Sequence, residues 1–163
     1  MDEYTKEMLL DYDDVSEIDL LERKLYNPNL HIINLAGCDL RGFHIGQVSF
    51  EGANLMGADL RDTRLQANFE YADFRGADLR GANFLGGEFN HADFTGSDLR
   101  GVNIANSKCY EANFTGADLR GACFGNEHYR SNFTSADMRG ALYHKGEFDT
   151  CIMDGAQLTK PQW

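Results

Sequence analysis

A period of five residues constrains this chain more than any other feature. Read from Gly52, the sequence runs GANLM and GADLR, later YADFR, GADLR and GANFL, then TGSDLRGVNI and TGADLRGACF. Each unit carries a small residue, Asp or Asn, a large apolar residue, a polar residue and Gly. Five matches neither the helical period of 3.6 nor the strand period of 2. A chain with this pattern must bend once per unit, alternating large and small side chains toward an axis. Glycine marks the bends: 13 of the 17 glycines stand two residues after a large central residue, where a turn would need positive φ.

The central residues run in fives from Leu30 through Leu35, Leu40, Ile45, Phe50, Leu55 and Leu60 to Leu65. The register then slips by one, to Phe69, and continues through Phe74, Leu79, Phe84, Phe89, Phe94, Leu99, Ile104, Cys109, Phe114 and Leu119 to Phe124. A second slip lies within Glu127-His128-Tyr129, with either Tyr129 or His128 central, and the series resumes from Phe133 to Trp163. Ten of the eleven Phe fall on this track. A second period, of 20 residues, lies over the first. Leu40, Leu60, Leu79, Leu99, Leu119 and Met138 form a column that is nearly pure Leu, and Leu35, Leu55, Phe74, Phe94, Phe114 and Phe133 form another.

These units resemble the pentapeptide-repeat family, whose unit is written A(D/N)LxG, and the resemblance covers about residues 30–163. It implies an all-β solenoid: a right-handed quadrilateral parallel β-helix with four units per coil. Seven coils at about 4.8 Å each would make a rod of about 33 Å. The expected organisation is a helical N-terminal cap at 1–26 and a β-helix at 27–163. Tyr4, Met8, Leu9 and Tyr12 are helix-spaced, Ser16 opens a second helical segment with Leu20, Leu21 and Leu25 on one stripe, and Asn27-Pro28 ends it. Ile33 and Phe43 replace Ala at inward small sites of the first coil, as packing against a cap requires. At the other end Trp163 falls in register as a lid, making that end the expected homodimer contact.

Net charge is −11; residues 1–24 carry nine acids and three bases, and the remainder 17 acids and 12 bases. Such a chain repels nucleic acid and acidic membranes and favours a partner with a basic surface. No run of 18 apolar residues exists, so no membrane span is expected. Cys38 and Cys151 would lie about 29 Å apart by strand spacing, beyond any disulfide. The four cysteines therefore read as small apolar residues of a reduced, cytoplasmic protein. There is no His pair at metal spacing, no nucleophile elbow and no phosphate loop. We expect no cofactor, no metal and no enzymatic activity.

The outer faces differ. One repeats Asp-x-Arg in every coil, from Asp39 and Arg41 to Asp137 and Arg139, a self-neutralising structural ladder. Thr95, Thr115 and Thr134 form a column too short for ice binding. The neighbouring face departs from pattern with Glu70, Tyr71, Glu88, His91, Tyr110 and Glu111, acids interleaved with aromatics. That set is the candidate partner-binding face of a protein-interaction scaffold, consistent with bacterial and cyanobacterial family members of unassigned role. The resemblance also implies a second reading. Some members resemble B-DNA in width and charge, bind DNA gyrase and protect it from quinolones. Neutralisation of the Asp column by Arg weakens that reading here.

Deleting residues 1–26 should expose Ile33 and Phe43 and promote aggregation, seen as loss of the monomer peak in size-exclusion chromatography. A truncated chain that stays soluble and equally stable would make residues 1–26 a tail.

Overall fold

The computed structural model describes residues 31–125, 128, 130–144 and 146–159. The expected cap at 1–26 and the expected lid Trp163 lie outside the described residues, as do Glu127 and Tyr129. Over the described residues the chain winds as a right-handed β-helix whose coils stack by parallel backbone pairing. Four ladders run along the rod, one per face.

Face 1 is the ladder Asn34, Asn54, Asp73, Asp93, Asn113, Asn132 and Ile152. Face 2 is the ladder from Asp39 through Asp59, Asp78, Asp98 and Asp118 to Asp137, and ends in the pairing of β3 (Asp137–Met138) with β4 (Gln157–Leu158). Face 3 carries Arg64, Asn83, Asn103, Cys123 and Leu142, and face 4 carries Asn68, Glu88 and Lys108. Most rungs are single bridges, because a unit of five offers only two or three extended residues before the next bend. Longer pairing occurs where β1 (His44–Ser49) lies parallel to β2 (Arg64–Asn68).

The bends form as the glycine spacing requires. The thirteen glycines placed two residues after a central residue all have φ between 63° and 73°. Gly76 and Gly96 illustrate the geometry: each N–H reaches the carbonyl of the coil below, Thr95 at 3.1 Å and Thr115 at 3.0 Å. The next residue closes the turn back onto the central residue, as Ala82 N–H does on Leu79 O at 3.0 Å.

The axis is filled by the central residues. Leu79, Leu99 and Leu119 are fully buried and stack in one column, with Leu79 N–H on Asp98 O and Leu99 N–H on Asp118 O, both at 2.8 Å. Face 1 contributes Phe74, Phe94, Phe114 and Phe133, stacked at 4.7, 4.8 and 4.7 Å with interplanar angles of 8°, 1° and 4°. Face 4 contributes Phe50, Phe69 and Phe89, stacked at 5.1 and 5.2 Å. Ala at the small sites lets these rings approach edge-on, as Phe84 does to Phe89 at 5.4 Å. Ile33 and Phe43 are buried in the first described coil.

Both register slips fall at the same corner, between faces 3 and 4. Leu65 to Phe69 is the first four-residue step. The second runs from Phe124 to His128, because His128 takes the inward position, 1% exposed and edge-on to Phe124 at 5.1 Å.

Phe94 is 1% exposed between two parallel rings. Phe94→Ala leaves a void that the stack cannot close and should cost about 3–5 kcal/mol. Chemical denaturation monitored by circular dichroism measures it.

Candidate functional site

Glycine is absent from most of one corner. Where face 4 turns into face 1, the positive-φ position holds Ile32 (φ 59°), Tyr71 (59°), His91 (59°), Glu111 (54°) and Arg130 (57°), with glycine only at Gly52. Among the described residues the remaining positive-φ residues outside glycine are Asp62, Asn106 and Ser135, one at each of the other corners. Those are small polar residues, and Asp and Asn tolerate this region through local hydrogen bonds. His is tolerated to a similar degree, but Ile32, Tyr71, Glu111 and Arg130 are not, and each costs about 1 kcal/mol or more relative to glycine. Strain is therefore concentrated along one edge of the rod.

That edge carries a ridge of rings. Tyr71, 60% exposed, stacks on His91 at 4.8 Å with planes 7° apart. Tyr110 meets His91 edge-on at 6.0 Å, and its hydroxyl accepts a hydrogen bond from Arg130 Nη1 at 3.1 Å. Glu111 lies between His91 and Arg130, with Oε2 3.5 Å from His91 Nδ1 and Oε1 3.5 Å from Arg130 Nη1. The structure thus gathers Tyr71, His91, Tyr110 and Glu111 into one cluster with Arg130. Glu70 borders it and accepts a hydrogen bond from Asn90 Nδ2 at 2.6 Å. Glu88 lies on face 4 itself, away from the ridge, and pairs with Lys108 Nζ at 2.6 Å.

These pairings change the electrostatic character expected from the sequence. Each candidate carboxylate has a partner within the chain, because the residue one coil along lies at strand spacing. What the ridge presents to solvent is the Tyr71 and Tyr110 rings together with the paired Glu111 and Arg130 side chains, not a field of unpaired acids.

Face 2 behaves as a structural ladder. Arg80 holds Asp78 in a fork, Nε to Oδ1 at 2.8 Å and Nη2 to Oδ2 at 2.6 Å, and its Nε also lies 3.7 Å from Asp98 Oδ2 in the next coil. The same fork repeats at Asp59, Asp118 and Asp137, and the guanidinium bonds hold these carboxyls below their ordinary range. The arginines of these forks are more than a third exposed, so solvent screens each pair and its contribution to stability is small. The Thr column is also satisfied internally. Thr95, Thr115 and Thr134 donate to Asp93, Asn113 and Asn132 at 2.5, 2.7 and 2.7 Å.

Comparison with known proteins sets this geometry in context. A family model described as pentapeptide repeats matches eight copies over residues 33–67, 66–101 and 97–126, more than half of the chain. The chain belongs to the pentapeptide repeat family. None of the curated proteins matches it. Among solved structures, HetL, a pentapeptide repeat protein involved in heterocyst differentiation regulation from the cyanobacterium Nostoc sp. strain PCC 7120, superposes with a TM-score of 0.65. The two are 20% identical over 96% of this chain and 79% of HetL, which shows a shared fold. Full-length QnrB1, a plasmid-mediated fluoroquinolone resistance protein, is 20% identical over 84% of each chain, with a TM-score of 0.42. A pentapeptide repeat protein of the Arabidopsis thaliana thylakoid lumen is 31% identical over 60% of this chain and 66% of its own, with a TM-score of 0.40. Neither of these last two bears on the geometry described above.

One polar group of this pentapeptide repeat protein entered the sequence reading only as an alternative central residue at the second slip. The His128 ring sits among Phe124, Phe133 and Phe148, and neither nitrogen makes a well-formed hydrogen bond. Its Nε2 lies 3.6 Å from Glu147 Oε1, on a side chain only 1% exposed. Glu147 Oε2 accepts from the His144 N–H at 2.8 Å, while Oε1 has no hydrogen-bond donor. Burial pushes His128 down to about 4, opposed by the Gly125 backbone, and pushes Glu147 up. The one available signal was a non-apolar residue in the central track. Among the described residues no group of three or more His, Cys, Asp or Glu is placed to hold a metal ion, and no helix is long and apolar enough to cross a membrane.

The two shifts have opposite signs. His128, depressed in the fold, contributes stability that is full above its unfolded value of 6.5 and is lost as pH falls toward about 4. Glu147, raised in the fold, contributes stability that is full below its unfolded value of 4.5 and is lost as pH rises through its folded value. Glu147→Gln removes the second effect. Its unfolding free energy should be flat above about pH 6.5 and fall by on the order of 3 kcal/mol toward pH 4. Asp59, Asp78, Asp118 and Asp137, lowered by the guanidinium hydrogen bonds, add their own loss of stability only as pH approaches and passes below their unfolded value of 3.8, so the slope between about pH 6.5 and 5 is the part that reports His128. Thermal melts across pH check it, and a variant with no slope there would show that His128 is not held neutral.

Proposed function

We propose that this chain is a non-catalytic protein-interaction scaffold that engages its partner along the ridge between faces 4 and 1. Tyr71, His91, Tyr110 and Glu111 form the contact, with Glu70 bordering it and Glu88 set back on face 4. The observation that carries the reading is the backbone strain. Glycine serves the same bend almost everywhere else, so five large or charged side chains at this corner carry a backbone cost that glycine would avoid. Tyr is well suited to such a contact, since it buries much area at small entropic loss and keeps a polar tip. The ridge stands on a convex edge and its carboxylates are tied to neighbours, which suits docking better than proton transfer. The reading as a DNA mimic gains nothing from face 2, where every Asp column position is forked to an Arg.

The test converts the ridge to the bend used elsewhere: Tyr71→Gly, His91→Gly and Glu111→Gly together, compared with Arg80→Ala plus Arg100→Ala. The glycine variant should melt no lower than the parent and lose its partner in pull-downs from source-cell lysate. The ladder variant should keep the partner. Equal recovery by both, or loss only in the ladder variant, places the contact elsewhere. A gyrase supercoiling assay that responds to the protein would favour DNA mimicry instead.

A further inference from the structure

The first four-residue step leaves a recess in the side of the rod. In the coil above, β1 spans six residues, His44–Ser49, while its partner β2 spans five, Arg64–Asn68, with the register shift between Gly46 and Val48. The coil below again takes five residues from Phe84 to Phe89. The middle coil therefore cuts the corner, and its neighbours overhang it. The result is a recess of about 350 Å³, at the lower end of the roughly 300–1,000 Å³ typical of ligand pockets.

Val48 and Ala67 form its apolar floor, and Ser49, Gln66, Asn68 and Glu88 bring polar groups to it. Ser49 Oγ is buried and has no hydrogen-bond partner. Gly86 completes the lining with φ +73°, the conformation that selects glycine there. The sole formal charge on the lining is the Glu88 carboxylate, which meets Lys108 Nζ at 2.6 Å. Lys108 is on the next coil at the mouth, its side chain 52% exposed. A cation already visits this carboxylate, from the protein itself.

We propose that this recess takes an arginine side chain of the partner protein, its guanidinium between the Glu88 carboxylate and the acceptor oxygens of Ser49, Gln66 and Asn68. The inference rests on the docking reading above and names the partner chemistry that reading requires. Guanidinium fits better than ammonium. It offers five donors in a flat fork, which several acceptors spread around a shallow wall can share, whereas ammonium is a compact point charge. A chain of net charge −11 draws basic partners toward it. The recess opens on face 4, so an arginine seated there leaves the partner's surface free to continue over Tyr71 and His91.

The probe is N-acetyl-arginine amide, titrated into the full chain and followed by amide chemical shifts, with N-acetyl-citrulline amide as the uncharged isostere. Shifts should be confined to residues 48–49, 66–68 and 86–88 and be absent with citrulline. Glu88→Gln should weaken arginine binding at least tenfold, and Lys108→Ala should tighten it severalfold by removing the internal competitor. Equal response to citrulline, shifts elsewhere, no shifts up to the probe's solubility limit, or indifference to Glu88→Gln would each overturn the proposal. The ridge is tested separately by the glycine variant. Arginine binding with an indifferent ridge keeps the recess and removes the docking reading; partner loss at the ridge without arginine binding does the reverse.

Discussion

Every feature of this molecule depends on one constraint, the parallel hydrogen-bonded register between coils. Each coil gives N–H groups to the carbonyls of the coil below and accepts from it in turn, as Leu99 N–H to Asp118 O and Asp118 N–H to Ser97 O show. A residue is therefore flanked, above and below, by residues about 20 positions away in sequence. That spacing turns single side chains into columns. A stack of Phe rings, a fork of Asp and Arg and a ridge of Tyr and His are one geometric rule applied to different residue types.

Period alone gave access to the axis. Leu79, Leu99 and Leu119, or Phe94 and Phe114, could be assigned to columns because each is the large residue of an unbroken run of fives. The glycine turns were legible for the same reason, since small, flexible residues recur where the chain must bend. The second step was not settled, because His128 and Tyr129 both suit a large inward site and Glu127 suits no inward site. The answer depends on which ring fits among Phe124, Phe133 and Phe148, a matter of three-dimensional packing.

The candidate site was legible as a set of residues and not as a chemistry. Glu70, Tyr71, Glu88, His91, Tyr110 and Glu111 stood out by breaking the pattern, and four of them do cluster. Their acids are each paired within the chain, because Lys108, Asn90 and Arg130 lie a full coil away in sequence yet within reach in space. The strain at this corner was also hidden. A non-glycine residue at a turn position reads as ordinary variation until its φ is known. The recess had a trace in the first slip, which implied local tightening without saying which groups would line the gap.

The two steps also govern what kinds of change in length this rod can absorb. Along face 1 the rungs are 20 residues apart, except from Asn54 to Asp73 and from Asn113 to Asn132, where 19 suffice. Both short coils lose their residue at the same corner. A deletion on any of the other three would move a large residue off the axis or drop a glycine from its bend, and the mismatch would pass to the coils on either side. Inheritance of such a chain is accordingly quantised: whole coils can be gained or lost in register, single residues can leave at one corner, and the remaining edges behave as fixed-length text.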